Sequence, residues 1–258
     1  MSADQSVEIV AHQREPLHDG RSSLNAVVLQ RIELDRHQII LRVAPDQWSI
    51  PEFEPGQFAV LGLPGSSPRC ADADPEDEPP PTGQLIKRAY SIASSSVLRH
   101  HLECYISLVP SGTLTPRLFA LRPGDRLWLG AKLTGLFTLD AVPADKHLVL
   151  VGTGTGLAPY ISMIRSRLTC GGPRRIAVLH GARHSCELGY HSELSSLEHL
   201  CGNFTYLSTI SRPDQEPIPW TGPVGYVQDL WLSGRLADAW HSPPHPDTTH
   251  VFLCGHPR

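Results

Sequence analysis

Residues His147–Val151 (HLVLV) form an unbroken apolar run that leads directly into Gly152-Thr153-Gly154-Thr155-Gly156-Leu157-Ala158-Pro159. A strand without polar alternation is one buried on both faces, the condition of a parallel sheet covered by helices. The next stretch, Tyr160–Leu168, has its apolar residues at helical spacing. Strand, glycine turn and helix therefore constrain everything that follows. Arg175–His180, Phe204–Thr209 and His250–Cys254 read as further buried strands, and Glu187–Leu200 and Tyr226–Trp240 as helices. Strands alternating with helices predict an open, mainly parallel sheet.

The glycine spacing is neither of two common phosphate motifs. The dinucleotide fingerprint would want glycine at position 157, where Leu157 stands, and no Gly-Lys-Ser/Thr follows as in a Walker loop. A glycine turn between strand and helix still aims backbone N–H groups and a helix dipole at a pyrophosphate. The second strand runs out through His180-Gly181-Ala182-Arg183 without an acid, and the third through Ser211-Arg212. An acid there favours a free 2′-hydroxyl and an arginine a 2′-phosphate, so Arg183 and Arg212 point to NADP. Two ordinary surface arginines would look the same.

The first half has a different grammar. Asn25–Glu33, His37–Val43, 58–63, 87–94, His101–Val109, Arg126–Gly130 and Gly135–Thr138 read as many short strands, the pattern of a small β-barrel or sandwich. The change falls around Ala141–Lys146. The expected fold class is thus a two-domain β + α/β protein. An antiparallel β-barrel over residues 25–143 precedes a parallel-sheet, Rossmann-like domain over 144–258. Residues 1–24 are polar and read as a flexible arm. Residues 64–84 carry Asp72, Asp74, Glu76, Asp77 and Glu78 among prolines, and read as a mobile surface loop.

Two barrel segments carry chemistry. In Arg88-Ala89-Tyr90-Ser91 strand alternation puts Arg88 and Tyr90 on one face, and Ala89 and Ser91 on the other. A guanidinium fork beside an aromatic plane suits a flavin phosphate and a flavin ring. An exposed arginine and a half-buried tyrosine on an ordinary strand carry the same signature. In Ser111-Gly112-Thr113-Leu114-Thr115 a glycine turn enters a short helix that ends near Leu121, with Thr115 as N-cap and Pro116 in the first turn. It reads as an anion site or as a plain capped helix.

Composition removes other classes. A net charge of −4 gives no basic field for nucleic acid. No apolar run approaches the ~18 residues of a membrane span. The start MSADQSVEIV shows no basic region followed by an apolar core, so no signal peptide is visible and a cytoplasmic location is expected. The six cysteines (70, 104, 170, 186, 201, 254) form no C-x-x-C pair and no zinc or iron–sulfur spacing, so they read as reduced packing thiols. His180, His184 and His191 do not form a metal-ligand set, and no metal is expected.

Taken in order, these motifs resemble those of the ferredoxin–NADP reductase family, in its bacterial branch. The resemblance covers about residues 25–258. It runs through Arg88–Ser91, Gly112–Thr115, Gly152–Pro159, Arg183 with Glu187-Leu188-Gly189-Tyr190, and Ser211-Arg212, and closes on Cys254-Gly255-His256-Pro257. It implies an FAD barrel and an NADP domain, with the flavin in the cleft between them. Arg88 and Ala89 would lie along the FAD, Arg88 on its pyrophosphate, and Tyr90 and Ser91 against the isoalloxazine. Gly112, Thr113 and Thr115 would hold phosphate at the short helix. Gly152, Thr153, Gly154, Thr155 and Gly156 would hold the NADP pyrophosphate, and Arg183 and Arg212 its 2′-phosphate. Cys254 would lie against the nicotinamide, and Ser91 would tune the flavin nitrogen. NADPH would give hydride to FAD, and single electrons would leave to ferredoxin or flavodoxin. A reductase component for an oxygenase and a non-catalytic flavin- or nucleotide-binding regulator remain open alternatives. Two departures stand out. Gly225-Tyr226-Val227 lacks the basic residue often found there. The chain also stops at Arg258, where the family continues, so the NADP domain is expected to lack its end.

Overall fold

The computed structural model describes residues 24–78, 80, 81 and 83–255. The expected arm lies outside these apart from Leu24, as do His256 and Pro257 of the closing motif. Six strands, β1 (Ala26–Asp35), β2 (Gln38–Pro45), β3 (Phe58–Pro64), β4 (Leu85–Ser91), β5 (Leu102–Ser107) and β6 (Arg126–Leu129), form one sheet in the order β4-β3-β6-β1-β2-β5. All its pairings are antiparallel. An Ile92–Cys104 bridge and the Ala93 N–H to Glu103 carbonyl bond of 2.7 Å join the two ends, so the sheet closes into a barrel. Inward residues such as Ile39, Leu41, Leu61, Leu102, Leu127 and Leu129 fill it, and Leu118 of helix α1 (Thr115–Ala120) packs into the same core.

Three local expectations change here. No strand forms at 135–138, because Gly135 (φ 139°) turns the chain away after a single bridge from Thr134 to Phe58. Leu114, not Thr115, is the N-cap of α1. The Thr115 hydroxyl instead accepts the Val109 N–H at 3.0 Å. The acidic segment is irregular, as its composition predicts, yet Glu76 is not one more solvated acid. It pairs with Arg69 at 2.6 Å and with the buried Arg117 at 2.7 Å. A buried guanidinium needs a counter-charge. The Arg117 hydrogen bond heads the causes that, against burial, hold the Glu76 carboxyl below its usual range.

The second sheet is wholly parallel, in the order β10-β7-β8-β9: β7 (His147–Thr153), β8 (Ile176–Ala182), β9 (Phe204–Ile210) and β10 (Thr249–Cys254). Helices α2 (Ala158–Arg167) and α3 (His191–Leu200) pack on the face of Leu148, Val178 and Phe204. Helices α4 (Val227–Leu232) and α5 (Arg235–Trp240) cover Val149, Ala177 and Leu179 on the other. The single helix expected over 226–240 is two, because Gly234 takes a left-handed φ of 76° between them. Helix α3 starts at His191 rather than Glu187, since Ser185–Glu187 is a 3-10 turn and Tyr190 sits at φ 61°. No described helix is long and apolar enough to cross a membrane.

The expectation of six free thiols is corrected. Cys170 and Cys201, 31 residues apart, are joined by a disulfide. Each lies just beyond the C-terminus of α2 or α3. Both helices run back from the carboxyl ends of the strands, so their own ends meet at the opposite sheet edge. Cys70, Cys104, Cys186 and Cys254 are free.

The two units share a buried polar seam. The Glu103 side chain is 1% exposed and accepts Arg42 Nε at 2.5 Å, Arg165 Nη1 at 2.7 Å and the Tyr190 hydroxyl at 2.9 Å. Arg165 of α2 also holds Glu193 of α3 at 2.7 Å. The Ser162 hydroxyl donates to the Ser94 carbonyl at 2.8 Å. Burial raises the Glu103 carboxyl, but Arg165, Arg42 and Tyr190 together bring it below the usual carboxylate range.

Candidate functional site

In the parallel sheet, β8 and β9 lie to one side of β7 and β10 to the other. Crossovers leave in opposite directions at that point, and open α/β sheets bind ligands in the crevice there, beyond the carboxyl ends of the strands. The barrel faces this crevice, and a cleft of about 1090 Å³ opens between the units. Pockets for small molecules and cofactors usually run from about 300 to 1,000 Å³, so this one has room for extended ligands.

The cleft assembles residues from both halves. Ala89, Tyr90 and Ser91 line it from the end of β4, and Thr153, Gly154, Thr155 and Gly156 from the turn after β7. Arg183 enters from the end of β8, and Cys254 from the end of β10. Alternation had placed Tyr90 and Ser91 on opposite faces; at the strand's end residues 89–91 line the cleft together. Tyr90 also packs against the barrel core. Its burial pushes the phenol well above the usual range, so the ring presents a neutral face.

The glycine turn divides by role. Gly152 is buried, and a Cβ on it would sit 3.2 Å from the Tyr160 ring, so it serves strand–helix packing. Gly154 adopts φ 52°, and nothing lies within 4 Å of the place a Cβ would take, which leaves its backbone open. Gly156 has no room for a side chain: a Cβ would lie 2.5 Å from the Cys254 carbonyl oxygen. Residues Gly154–Leu157 form a 3-10 turn before α2, which extends the run of N–H groups at the strand's end. Burial raises the Cys254 thiol, which keeps it in the uncharged form.

Other sequence-predicted residues fall outside the cleft lining. Arg88 is exposed and donates Nη1 to the Lys87 carbonyl at 2.8 Å. Gly112, Thr113 and Thr115 lie in a turn whose carbonyls are engaged elsewhere: Gly112 by Arg69 at 3.2 Å, Thr113 by Arg117 at 2.5 Å. Arg212 is exposed, and its N–H bonds the Arg183 carbonyl at 3.0 Å, so the two arginines occupy adjoining strand ends. Arg183 itself is paired with Glu187 at 2.6 Å. The lining also includes Gln38, Tyr105 and Tyr226, which sequence reasoning did not select. Tyr105 sits in the run HLECYISLV, where nothing local separates it from a core tyrosine.

A closed antiparallel barrel joined through a buried seam to a four-stranded parallel sheet, with a cleft at the switch point, defines the two-domain nucleotide-dependent reductase class. Comparison with known proteins narrows this. The family description "Oxidoreductase NAD-binding domain" matches residues 150–258. The flavodoxin/ferredoxin–NADP reductase of Shigella flexneri is 31% identical over 206 residues, covering 80% of this chain and 75% of that protein. The ferredoxin–NADP reductase of Pseudomonas aeruginosa is 34% identical over 209 residues, covering 80% and 74%. In fold, the chain is similar to the Neisseria gonorrhoeae ferredoxin NADP+ reductase with bound FAD and NADP. The TM-score is 0.69 at 21% identity, over 90% of this chain and 85% of that one. The chain belongs to the ferredoxin–NADP reductase family.

Proposed function

We propose that this protein passes electrons between NADPH and ferredoxin or flavodoxin through bound FAD. The observation that carries this reading is the cleft that sets Tyr90 and Ser91 of the barrel opposite Thr153, Gly154, Thr155, Gly156 and Cys254 of the parallel sheet. Residues 25–143 would form the FAD unit and 144–258 the NADP unit.

Bound FAD supplies acceptance of a hydride and release of single electrons, which no side chain here can do. The chain's own residues bind, orient and exclude water. Tyr90 offers an uncharged aromatic plane for the flavin ring. Ser91 lines the same cleft and would offer its hydroxyl to the edge of that ring. Arg88, with Gly112, Thr113 and Thr115, is assigned to the flavin phosphates on the resemblance, and Arg88 is solvent-accessible for it. The open backbone around Gly154 fits a pyrophosphate, because the free N–H groups and the dipole at the start of a helix attract a phosphate. Cys254 presents a small neutral thiol to the cleft and would lie against the nicotinamide without adding charge. Arg183 and Arg212 are assigned to the 2′-phosphate.

Anaerobic titration of the purified protein with NADPH and NADH, in parallel, tests the proposal. The flavin absorbance should bleach with NADPH, and ferredoxin or flavodoxin should then restore it. A yellow protein that neither nucleotide bleaches would sink the reductase reading and favour a flavin-binding regulator.

A further inference from the structure

We propose that Glu187 is a positioning residue that sets preference for a 2′-phosphorylated nucleotide by fixing Arg183, and that Tyr105 seats it from across the domain seam. The inference rests on the reading of Arg183 as the 2′-phosphate contact. Glu187 is 6% exposed, and its carboxylate accepts three bonds from one residue. These come from the Arg183 backbone N–H at 3.1 Å, Nε at 3.1 Å and Nη2 at 2.6 Å. A carboxylate gripping Nε and Nη2 occupies one edge of the planar fork and leaves the other edge for a ligand. Arg183 remains 44% exposed and lines the cleft.

The grip depends on where the Ser185–Glu187 turn sits. The single proton of the Tyr105 hydroxyl is shared between Gln38 Oε1 and the Glu187 carbonyl, which lies 3.1 Å away. The Gly189 backbone lies directly on the same ring, since a Cβ there would be 2.5 Å from Tyr105 Cζ. Two barrel residues thus set the height of the turn that aims an arginine of the other unit.

Two effects of Glu187 oppose each other. Its charge weakens the attraction of Arg183 for a phosphate, and its grip removes the entropy of ordering a long side chain. Near a solvent-exposed guanidinium the Coulomb effect is attenuated by water and salt, whereas fork geometry acts at contact. The geometric effect prevails.

The test uses the full chain with FAD, and compares dissociation constants for AMP and adenosine 2′,5′-bisphosphate by calorimetry. The ratio of the two isolates the 2′-phosphate. Wild type should favour the bisphosphate by at least about tenfold, and Arg183→Ala should remove most of that preference, leaving the share that Arg212 supplies. Glu187→Gln should lower the ratio about fivefold, and Tyr105→Phe about twofold. Arg183→Lys keeps the charge at a half-exposed position but has no fork, and should lose most of the preference. A wild-type ratio near one overturns the 2′-phosphate assignment and this inference with it. If instead Arg183→Ala removes most of the preference while Glu187→Gln retains or raises it, the positioning role alone is overturned. Should Glu187→Gln not fold, Arg183→Lys decides: a ratio kept at the wild-type value overturns the role.

Discussion

Replacing Glu103 by glutamine keeps the shape of the side chain and removes its charge at the centre of the seam. The carboxylate is 1% exposed and serves Arg42, Arg165 and Tyr190 at 2.5–2.9 Å. Breaking a buried ion pair by removing one partner costs about 3–5 kcal/mol. Here the orphaned cations have relief. Arg165 keeps Glu193, and the Arg42 and Arg165 side chains are 34% and 23% exposed. The expected loss is therefore at the low end, about 3 kcal/mol. For a chain of this size, that lowers the melting temperature by roughly 6–12 °C. Acid adds a second signature. The folded Glu103 carboxyl lies below its ordinary range, so its stabilisation is present above the unfolded-state value and is lost as pH falls through the folded one. Wild type should lose this increment on acidification, and Glu103→Gln should lack it. Thermal melts of the FAD-loaded protein at pH 7 and pH 4 measure both. Equal melting temperatures for the two proteins at pH 7 would refute the seam as a stabilising network.

Further outcomes follow from the cleft and the core. Tyr90→Ala and Arg88→Ala should each lower flavin retention on gel filtration, by about tenfold in affinity for the stacking residue; full retention in both would count against the flavin assignment. Gly156→Ala forces a methyl into the Cys254 carbonyl, and backbone there must shift. NADPH-dependent flavin bleaching should slow by about tenfold or more, since a small misplacement at the reacting centre is costly. His180 is fully buried, and burial, aided by His191, lowers it from an ordinary 6.5 to about 3. The unfolded chain binds that proton and the folded one does not. Stability should then fall by up to about 1.4 kcal/mol per pH unit from this residue as pH drops from 6.5 towards 3. Urea midpoints at pH 7 and pH 5 should differ less for His180→Leu than for wild type, and an equal difference would discard the argument.

What the sequence determined by itself was local. The unbroken run HLVLV before a glycine turn dictates a doubly covered parallel strand, because no alternating strand could be so apolar and stay wet on one face. The many short strands before Ala141 dictate an antiparallel unit for the converse reason. Gly152–Pro159 could be read as a phosphate turn because close backbone approach needs glycine between strand and helix; Arg88–Ser91 alone fits an ordinary strand equally well, and Cys254 took a role only through the family resemblance. What only the tertiary structure decided was which strand ends meet. Tyr105 and Glu187 are 82 residues apart, Glu103 and Tyr190 87, and Cys170 and Cys201 31. No periodicity links such pairs. Closing the barrel and winding the sheet brings them together, and burial then makes each hydrogen bond obligatory. The same reason separates Gly152 from its neighbours in the turn. All three glycines look alike in sequence, but the ring of Tyr160 claims one, the carbonyl of Cys254 another, and only Gly154 has a Cβ position clear of any atom within 4 Å.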